Sequence, residues 1–497
     1  MNLQKYLLLL CLGILFACKK EIKNPPQPPE PTEEERLMAD IYDYYNKYSL
    51  WTAQIPDLDE QGRLEFVRKY SSNGVLLNAL MNMTPAYDFR CYTTISPRCP
   101  RKHYDRYSFL DESNTDGNLS YADGFRMDTN EGYGLYFGWG LMGEIIDGVE
   151  YARPVISFVE GGSPSHTQGV TRGAVVYAIN DDDNITVRYS SGSLNPTDLN
   201  NFGAKLDAAL AANSLKLKVE TVNGEEVEYT MEHDTYEIDP VVKHTIYEYS
   251  KNVGYLAYSS FEEVWPKTHQ NYTKLEGIFN SLKNANVRDL ILDLRYNTGG
   301  YVSTAEYLAD KLVNAADDGK LMFKYKVNDY LATSLQHKSD FQDVYFDNSD
   351  NQLELENIYI LVTEQTASAA ELLISALQPY LNVTIIAETD RTYGKPVGFF
   401  PEEIDDVTLW VTSFQTINAN GYTDYWNGIT PDVSGVPDYF FKDFGDPEED
   451  MIAKALDLAI PTNNGFRASS RKRSAQRGIS MGIINKVKER NMLKIKD

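Results

Sequence analysis

Histidine and cysteine are scarce in this chain, and each shortage narrows the chemistry open to it. Six histidines in 497 residues, with no pair at ligand spacing, give little from which to build a metal centre. They also declare no His–Asp constellation: His337 lies in a polar insertion and His269 at a helix start. Four cysteines are few. Two fall in the first eighteen residues, which leaves Cys91 and Cys99 as candidates for one small disulfide loop in an oxidising compartment. Spacing alone does not establish that pairing. Long apolar runs are missing too: beyond the first twenty residues nothing approaches eighteen consecutive apolar positions, so nothing there reads as a membrane-spanning helix. Positive charge is in deficit, with 47 Lys and Arg against 72 Asp and Glu and a net charge of -25. That balance argues against nucleic acid and against adhesion to an anionic membrane.

What is present begins with "MNLQKYLLLLCLGILFACKK". One lysine precedes an apolar run, Tyr6 to Phe16, too short to cross a bilayer, so the stretch reads as a secretory signal. Leu15-Phe16-Ala17-Cys18 resembles a bacterial lipobox, which implies removal of residues 1–17 and a lipid on Cys18. An ordinary signal peptide cleaved nearby is the alternative. "NPPQPPEPTEEE" follows closely and favours the lipoprotein, since a proline-rich acidic stretch over residues 18–34 suits an extended tether. The expected location is therefore the cell envelope, lipid-anchored, periplasmic or surface-exposed, with the lipid as the only membrane contact. At the other end, residues 465–497 carry ten Lys or Arg against two acidic residues and read as a solvated extension, with partner binding as the second choice.

Between these ends the texture changes twice. "EERLMADIYDYYNKYSLW" has apolar and aromatic positions at helical spacing and opens a small helical N-terminal domain over 35–125. Residues 130–235 follow the order strand, short helix, strand, longer helix, strand, with "GGSPS" breaking the alternation. From 245 to 460, strands such as "VRDLILDLRYNTGG" alternate with amphipathic helices, which predicts α/β layers with mostly parallel pairing.

The candidate chemistry sits in "YILVTEQTASAAELLISAL", where a strand becomes a helix at Ser368. Ser368-x-x-Glu371 is a capping box, and that reading alone would account for the hydroxyl. It leaves the small flanking residues unexplained. A nucleophile at the turn would use them: the hydroxyl stands at the C-terminal edge of the sheet, and the first helical N–H groups, beginning with Ala369, point at a developing oxyanion. A serine needs a base. Lys395 in "RTYGKPVGF" is the candidate, because a buried lysine loses proton affinity; a surface turn lysine is the alternative. Gly299 or Gly300, following the buried strand "LDLRYNTGG", offers a second oxyanion amide, and Asp293 and Arg295 form an ion pair or hold that turn.

In order over Leu290 to Asp432, "LILDLRYNTGG", "TASAAELL", "TYGKPVG" and "GITPD" resemble the carboxyl-terminal processing (tail-specific) serine protease family, and the interval of 27 residues from Ser368 to Lys395 is close to the family's. Residues 130–235 resemble the PDZ pattern that precedes these motifs, although Gly173-Ala174 stands where "GD" is usual. The resemblance implies an α/β fold: a ClpP/crotonase-like catalytic domain preceded by a PDZ-like β-rich domain and the small helical N-terminal domain. It implies a Ser–Lys dyad of Ser368 and Lys395, support from Glu371, and an oxyanion hole from a Gly299 or Gly300 amide and the Ala369 amide. No cofactor and no metal are expected, and the substrates would be polypeptides, taken through their C-termini. The family's "GKGSVQ" reads "GKPVGF" here, which places Phe399 at the glutamine position. A catalytically impaired peptide-binding lipoprotein of the same fold is therefore the second reading. A crotonase-type enzyme acting on thioesters is the third, disfavoured by export and by the PDZ-like segment.

Overall fold

The computed structural model describes residues 30–92, 99–111, 129–347, 352–460 and 477–487. Cys18, the signal stretch and most of the tether lie outside the described residues, as does much of 465–497. Helix α1 (Glu33–Tyr48) starts on a capping box, in which Thr32 Oγ1 accepts from Glu35 N–H at 3.1 Å and Glu35 Oε2 from Thr32 N–H at 3.0 Å. Its buried face, Met38, Ile41, Tyr42, Tyr45 and Tyr48, has helical spacing. With α2 (Glu60–Val67) and α3 (Asn73–Met81) it does not close a core of its own. These side chains share one apolar cluster with Leu256, Leu290 and Phe400, and the Tyr44 hydroxyl donates to Phe400 O at 3.0 Å. The separate N-terminal domain expected over 35–125 is thus a lobe of the α/β part. It ends in β1 (Phe109–Asp111).

A β-rich unit follows: β2 (Leu135–Ile146), β3 (Val149–Val159), β4 (Val175–Ile179), α4 (Pro196–Leu210), β5 (Ser214–Glu220) and β6 (Glu226–Glu232). Asn195 caps α4 by accepting from Thr197 and Asp198 N–H, and Pro196 pre-sets its first turn. The helix buries Phe202, Leu206 and Ala209, and Phe202 meets Trp139 of β2 edge-on with ring centroids 4.7 Å apart.

The α/β part comprises β7 (Val241–Glu248), β8 (Asn252–Tyr258), α5 (Gln270–Asn284), β9 (Asp289–Asp293), α6 (Val302–Leu312), β10 (Leu321–Val327), β11 (Asn357–Val362), α7 (Ala369–Leu377), β12 (Asn382–Ala387), β13 (Val397–Ile404), β14 (Val407–Asn418) and α8 (Asp450–Ala459). One sheet runs β7-β8-β9-β11-β12; the last four strands are parallel and β7 is antiparallel at the edge. Leu290, Leu292, Ile358 and Ile360 face one way, into the cluster with α5, α6 and α7, while Ile291, Tyr359 and Leu361 face α8. Both faces are covered, which is why "LILDL" reads as one unbroken apolar run. A second, antiparallel sheet sets β14 between β1 and β10, with β13 also paired to β14.

The chain ends its described course in β15 (Ile479–Ile483), which leaves the α/β part and pairs antiparallel with β2, giving the order β15-β2-β3-β4-β5-β6. Over residues 477–487 the solvated extension expected for 465–497 is corrected: "ISMGII" is an apolar stretch within the basic run, and Met481 and Ile484 pack on the β-rich core.

Candidate active site

Four loops at the C-terminal edge of the parallel sheet are stitched together by named bonds. The loop after β11 is tied to the turn after β9: Thr363 Oγ1 donates to Arg295 O at 2.5 Å, Thr366 Oγ1 to Leu294 O at 2.7 Å, and Ala367 N–H to Asn297 O at 3.1 Å. The loop that carries Lys395 joins it through Tyr393 N–H to Thr366 O at 3.0 Å. That loop in turn packs backbone to backbone on the "GITPD" turn. A Cβ on Gly394 would stand 2.6 Å from Gly428 N, and one on Gly428 would stand 2.3 Å from Thr392 O. Both glycines have positive φ, so contact and conformation independently demand them.

Ser368 is held at φ 62°, ψ -119°, a backbone region costly for any residue with a Cβ, and its side chain has no exposed surface. The clamps on either side over-determine that conformation. Glu371, fully buried, is the hub. Its Oε2 accepts from Ser368 N–H at 3.0 Å and from Lys395 N–H at 2.8 Å; its Oε1 accepts from Gly394 N–H at 2.8 Å and from the Thr392 hydroxyl. One carboxylate oxygen thus holds the Ser368 and Lys395 backbones within the combined length of two hydrogen bonds. Burial pushes the Glu371 carboxyl above its usual range, against the pull of the bonds from Thr392, Lys395, Gly394 and Ser368.

Lys395 is buried, and its Nζ lies 4.9 Å from the Tyr107 ring centroid and 4.8 Å from that of Phe399. The position where the family carries glutamine therefore presents an aromatic face to the amine. Tyr107 and Arg106 reach in from the segment before β1, donating to Gly394 O at 2.5 and 2.9 Å. Sequence reasoning missed both, because no local periodicity or motif marks them.

Of the two glycine amides, Gly299 N–H is already taken by Asn297 Oδ1 at 3.0 Å. Phe261 bridges the turn through Gly299 O at 2.9 Å and Tyr301 N–H at 2.8 Å, a pattern that turns the Gly300 N–H the other way. A Cβ on Gly300 would lie 2.3 Å from Phe261 O. The Ala369 N–H, first in α7, has no carbonyl one turn earlier to receive it. Cys91 and Cys99 are joined as a disulfide, and the adjacent Tyr92 stacks on Tyr393 in the lysine loop at 4.9 Å.

Behind the glycine turn lies a buried ionic cluster. Arg295 pairs with Asp293 at 2.6 Å, Asp438 at 2.7 Å and Glu449 at 2.9 Å, while Arg172 of the β-rich unit pairs with Asp438 at 2.5 Å. The sequence anticipated Asp293–Arg295 and none of the rest. Glu388, just past β12, shares this environment: burial, with help from Asp438 and Glu364, raises its pKa to about 7. The unfolded value is about 4.3. The stability this group contributes is therefore full below that value and is lost as pH rises through 7. Glu388→Gln is expected to flatten the decline in unfolding free energy between pH 5 and 8, measured by denaturant titration; an unchanged slope would assign the decline elsewhere.

In class this is a mixed α/β protein whose site is built on the loops at one edge of a parallel sheet. Residues 252–434 match peptidase family S41. It is 27% identical over 229 residues to the carboxy-terminal processing protease CtpA of Bacillus subtilis, a match covering 45% of this chain and 43% of that one. To a protein named as a CtpA-like serine protease of Staphylococcus epidermidis it is 27% identical over 194 residues, 39% of this chain and 35% of the other. The chain thus matches less than half the length of these curated relatives. A crystal structure assigned as an S41 protease from Bacteroides fragilis superposes with a TM-score of 0.57 at 21% identity, covering 88% of this chain and 99% of that one. That likeness shows the fold.

Proposed function

We propose that the protein is a serine endopeptidase that cleaves polypeptides by acyl transfer through Ser368 and Lys395. The observation that carries this is the Glu371 carboxylate, which fastens the backbones of both residues to one point. In the first step the neutral Lys395 amine takes the Ser368 Oγ proton as Oγ bonds to the substrate carbonyl carbon. The carbonyl oxygen becomes an oxyanion facing the Gly300 and Ala369 amides. Collapse breaks the C–N bond, and the lysine ammonium returns its proton to the departing amine. Water, with Lys395 again the base, then hydrolyses the ester. Tyr107 and Phe399 hold the amine between two aromatic faces in place of a glutamine amide. The Ser368 hydroxyl is covered in this conformation, so substrate entry requires an opening. Residues 130–235 act as a PDZ-like peptide-binding unit favouring C-termini, and an exported lipoprotein tethered through Cys18 is the setting we assign.

Incubation of the full chain with an unstructured protein such as casein tests the reading. Cleavage should vanish in Lys395→Met. In the parent its rate should rise from acid towards alkaline pH, because the base works only as the free amine. Cleavage that survives Lys395→Met, or a rate flat across that range, would remove Lys395 from the reaction. Loss of cleavage with retained peptide binding in the parent chain would instead favour a peptide-binding protein, the role that Phe399 in place of glutamine leaves open.

A further inference from the structure

Without β15, β2 would be the edge of its sheet, twelve residues long with one row of backbone groups unpaired. The chain's own residues 477–487 fill that edge in an unusual way. Ile479 and Ser480 pair with Leu141 and Gly140, but the ladder shifts register before Ile483 meets Gly138, and Gly482 kinks it at φ 120°. Ile484 N–H donates to Phe137 O at 2.7 Å. Beyond that point a side chain continues the ladder: Asn485 Oδ1 accepts from Phe137 N–H at 2.8 Å, and Asn485 Nδ2 donates to Leu135 O at 3.0 Å. An amide side chain is here standing in for a peptide group. Met481 and Ile484 reach the apolar cluster that also holds Phe202 and Leu206 of α4. No residue of β15 is fully buried, and Ile479 is 60% exposed, whereas the last six residues of β3 are all buried. The segment is anchored at its ends, by Arg477 on Glu220 and by the buried Val487, but the strand between them buries so little and pairs so irregularly that it opens at low free-energy cost.

We propose that residues 477–487 are a built-in occupant of a peptide-accepting groove along β2 and α4, and that an extended apolar peptide binds there only by displacing them. Strand addition supplies affinity through the β2 backbone, and the sites of Met481 and Ile484 supply apolar selectivity. The far end of the occupant touches the catalytic loop, where Val487 N–H donates to Gln365 Oε1 at 3.1 Å, three residues before Ser368. Displacement therefore releases a contact on the loop that carries the covered hydroxyl. That the displacing peptide is a substrate rests on the peptidase reading; the groove and its occupant do not.

Binding separates the two. In a Ser368→Ala background, a fluorescein-labelled peptide RGISMGIINKV (residues 477–487) is titrated into the full chain and into the full chain with Ile484→Asp and Asn485→Ala. Weakening the occupant should tighten peptide binding at least tenfold by fluorescence anisotropy. Equal affinity in the two proteins would overturn the proposal. Hydrogen exchange on the unmodified chain is the second measurement and needs no variant. Amides of residues 479–487 should exchange at least a hundredfold faster than those of β3, and faster still with excess peptide. Protection equal to that of β3, unmoved by peptide, would make the segment an ordinary structural strand. A protein that cleaves nothing would leave both results intact.

Discussion

Ser368→Gly and Ser368→Ala are both expected to abolish cleavage, and the glycine variant is expected to be the more stable of the two by about 1–2 kcal/mol. Both lose the hydroxyl, so the nucleophile and its interactions are removed equally. They differ in what remains at φ 62°, ψ -119°: alanine keeps a Cβ that conflicts with the backbone, and glycine has none. The usual entropic penalty of glycine, about 0.5–1 kcal/mol, opposes this gain and is smaller. The cleavage rate should fall by about 10⁴-fold or more in both, in line with the loss of a serine nucleophile elsewhere. Thermal unfolding of the purified variants beside the parent checks the first half, and casein cleavage checks the second. An alanine variant as stable as the glycine one would mean that the turn is not strained. Retained cleavage in either would place the nucleophile elsewhere. The paired outcome matters because a capping serine, the plainer reading of Ser-x-x-Glu, would cost stability when removed and would not touch turnover. Strain that the fold maintains against its own interest needs a use, and the fixed placement of a nucleophile is one.

How far the sequence revealed this site follows from which contacts are local. Gly394 and Gly428 lie in the motifs "TYGKPVG" and "GITPD", and the structure supplies the reason for both: each must admit a backbone atom of the other's turn. Ser368 and Glu371 stood out as neighbours on one helical turn. Lys395 was found through its glycine turn, and the structure brings its backbone to the same carboxylate as Ser368. Tyr107 and Arg106 could not be found this way. Their partner Gly394 is almost three hundred residues distant, and nothing in "HYDRYSF" encodes that meeting. The same holds for β1, three residues whose strand partner is β14. Of the lobe formed by α1 to α3, α1 was legible as a helix but not as part of a shared core, since an amphipathic pattern shows that a face is buried without showing against what. At the far end, charge misled: ten basic residues outweighed the short apolar stretch "ISMGII" between them.

Glu371→Gln isolates the hub. The carboxylate receives four donors, two on each oxygen, and has lone pairs for all of them. An amide keeps one oxygen, and its NH₂ must face two of those donors whichever way it turns. Facing Oε2's partners, it meets the N–H groups of Ser368 and Lys395, neither of which can reverse. Facing Oε1's partners, it meets the Thr392 hydroxyl, which can rotate to accept, and the Gly394 N–H, which cannot. The second orientation is the better one, and it still strands a buried backbone donor, at about 1–3 kcal/mol. Retention of the Ser368 and Lys395 contacts in that orientation predicts a protein that folds with reduced stability. The lysine loop, though, loses its anchor at Gly394, one residue from the base. Turnover should therefore fall by about a hundredfold or more while peptide affinity is kept, since displacement of a catalytic group by about 1 Å has that scale of effect. Glu371→Asp keeps the charge but withdraws it by one methylene from all four donors at once, and should be no more active. Should Glu371→Gln turn over casein at the parental rate, the shared carboxylate would be a structural convenience and Ser368 and Lys395 would owe their alignment to something else.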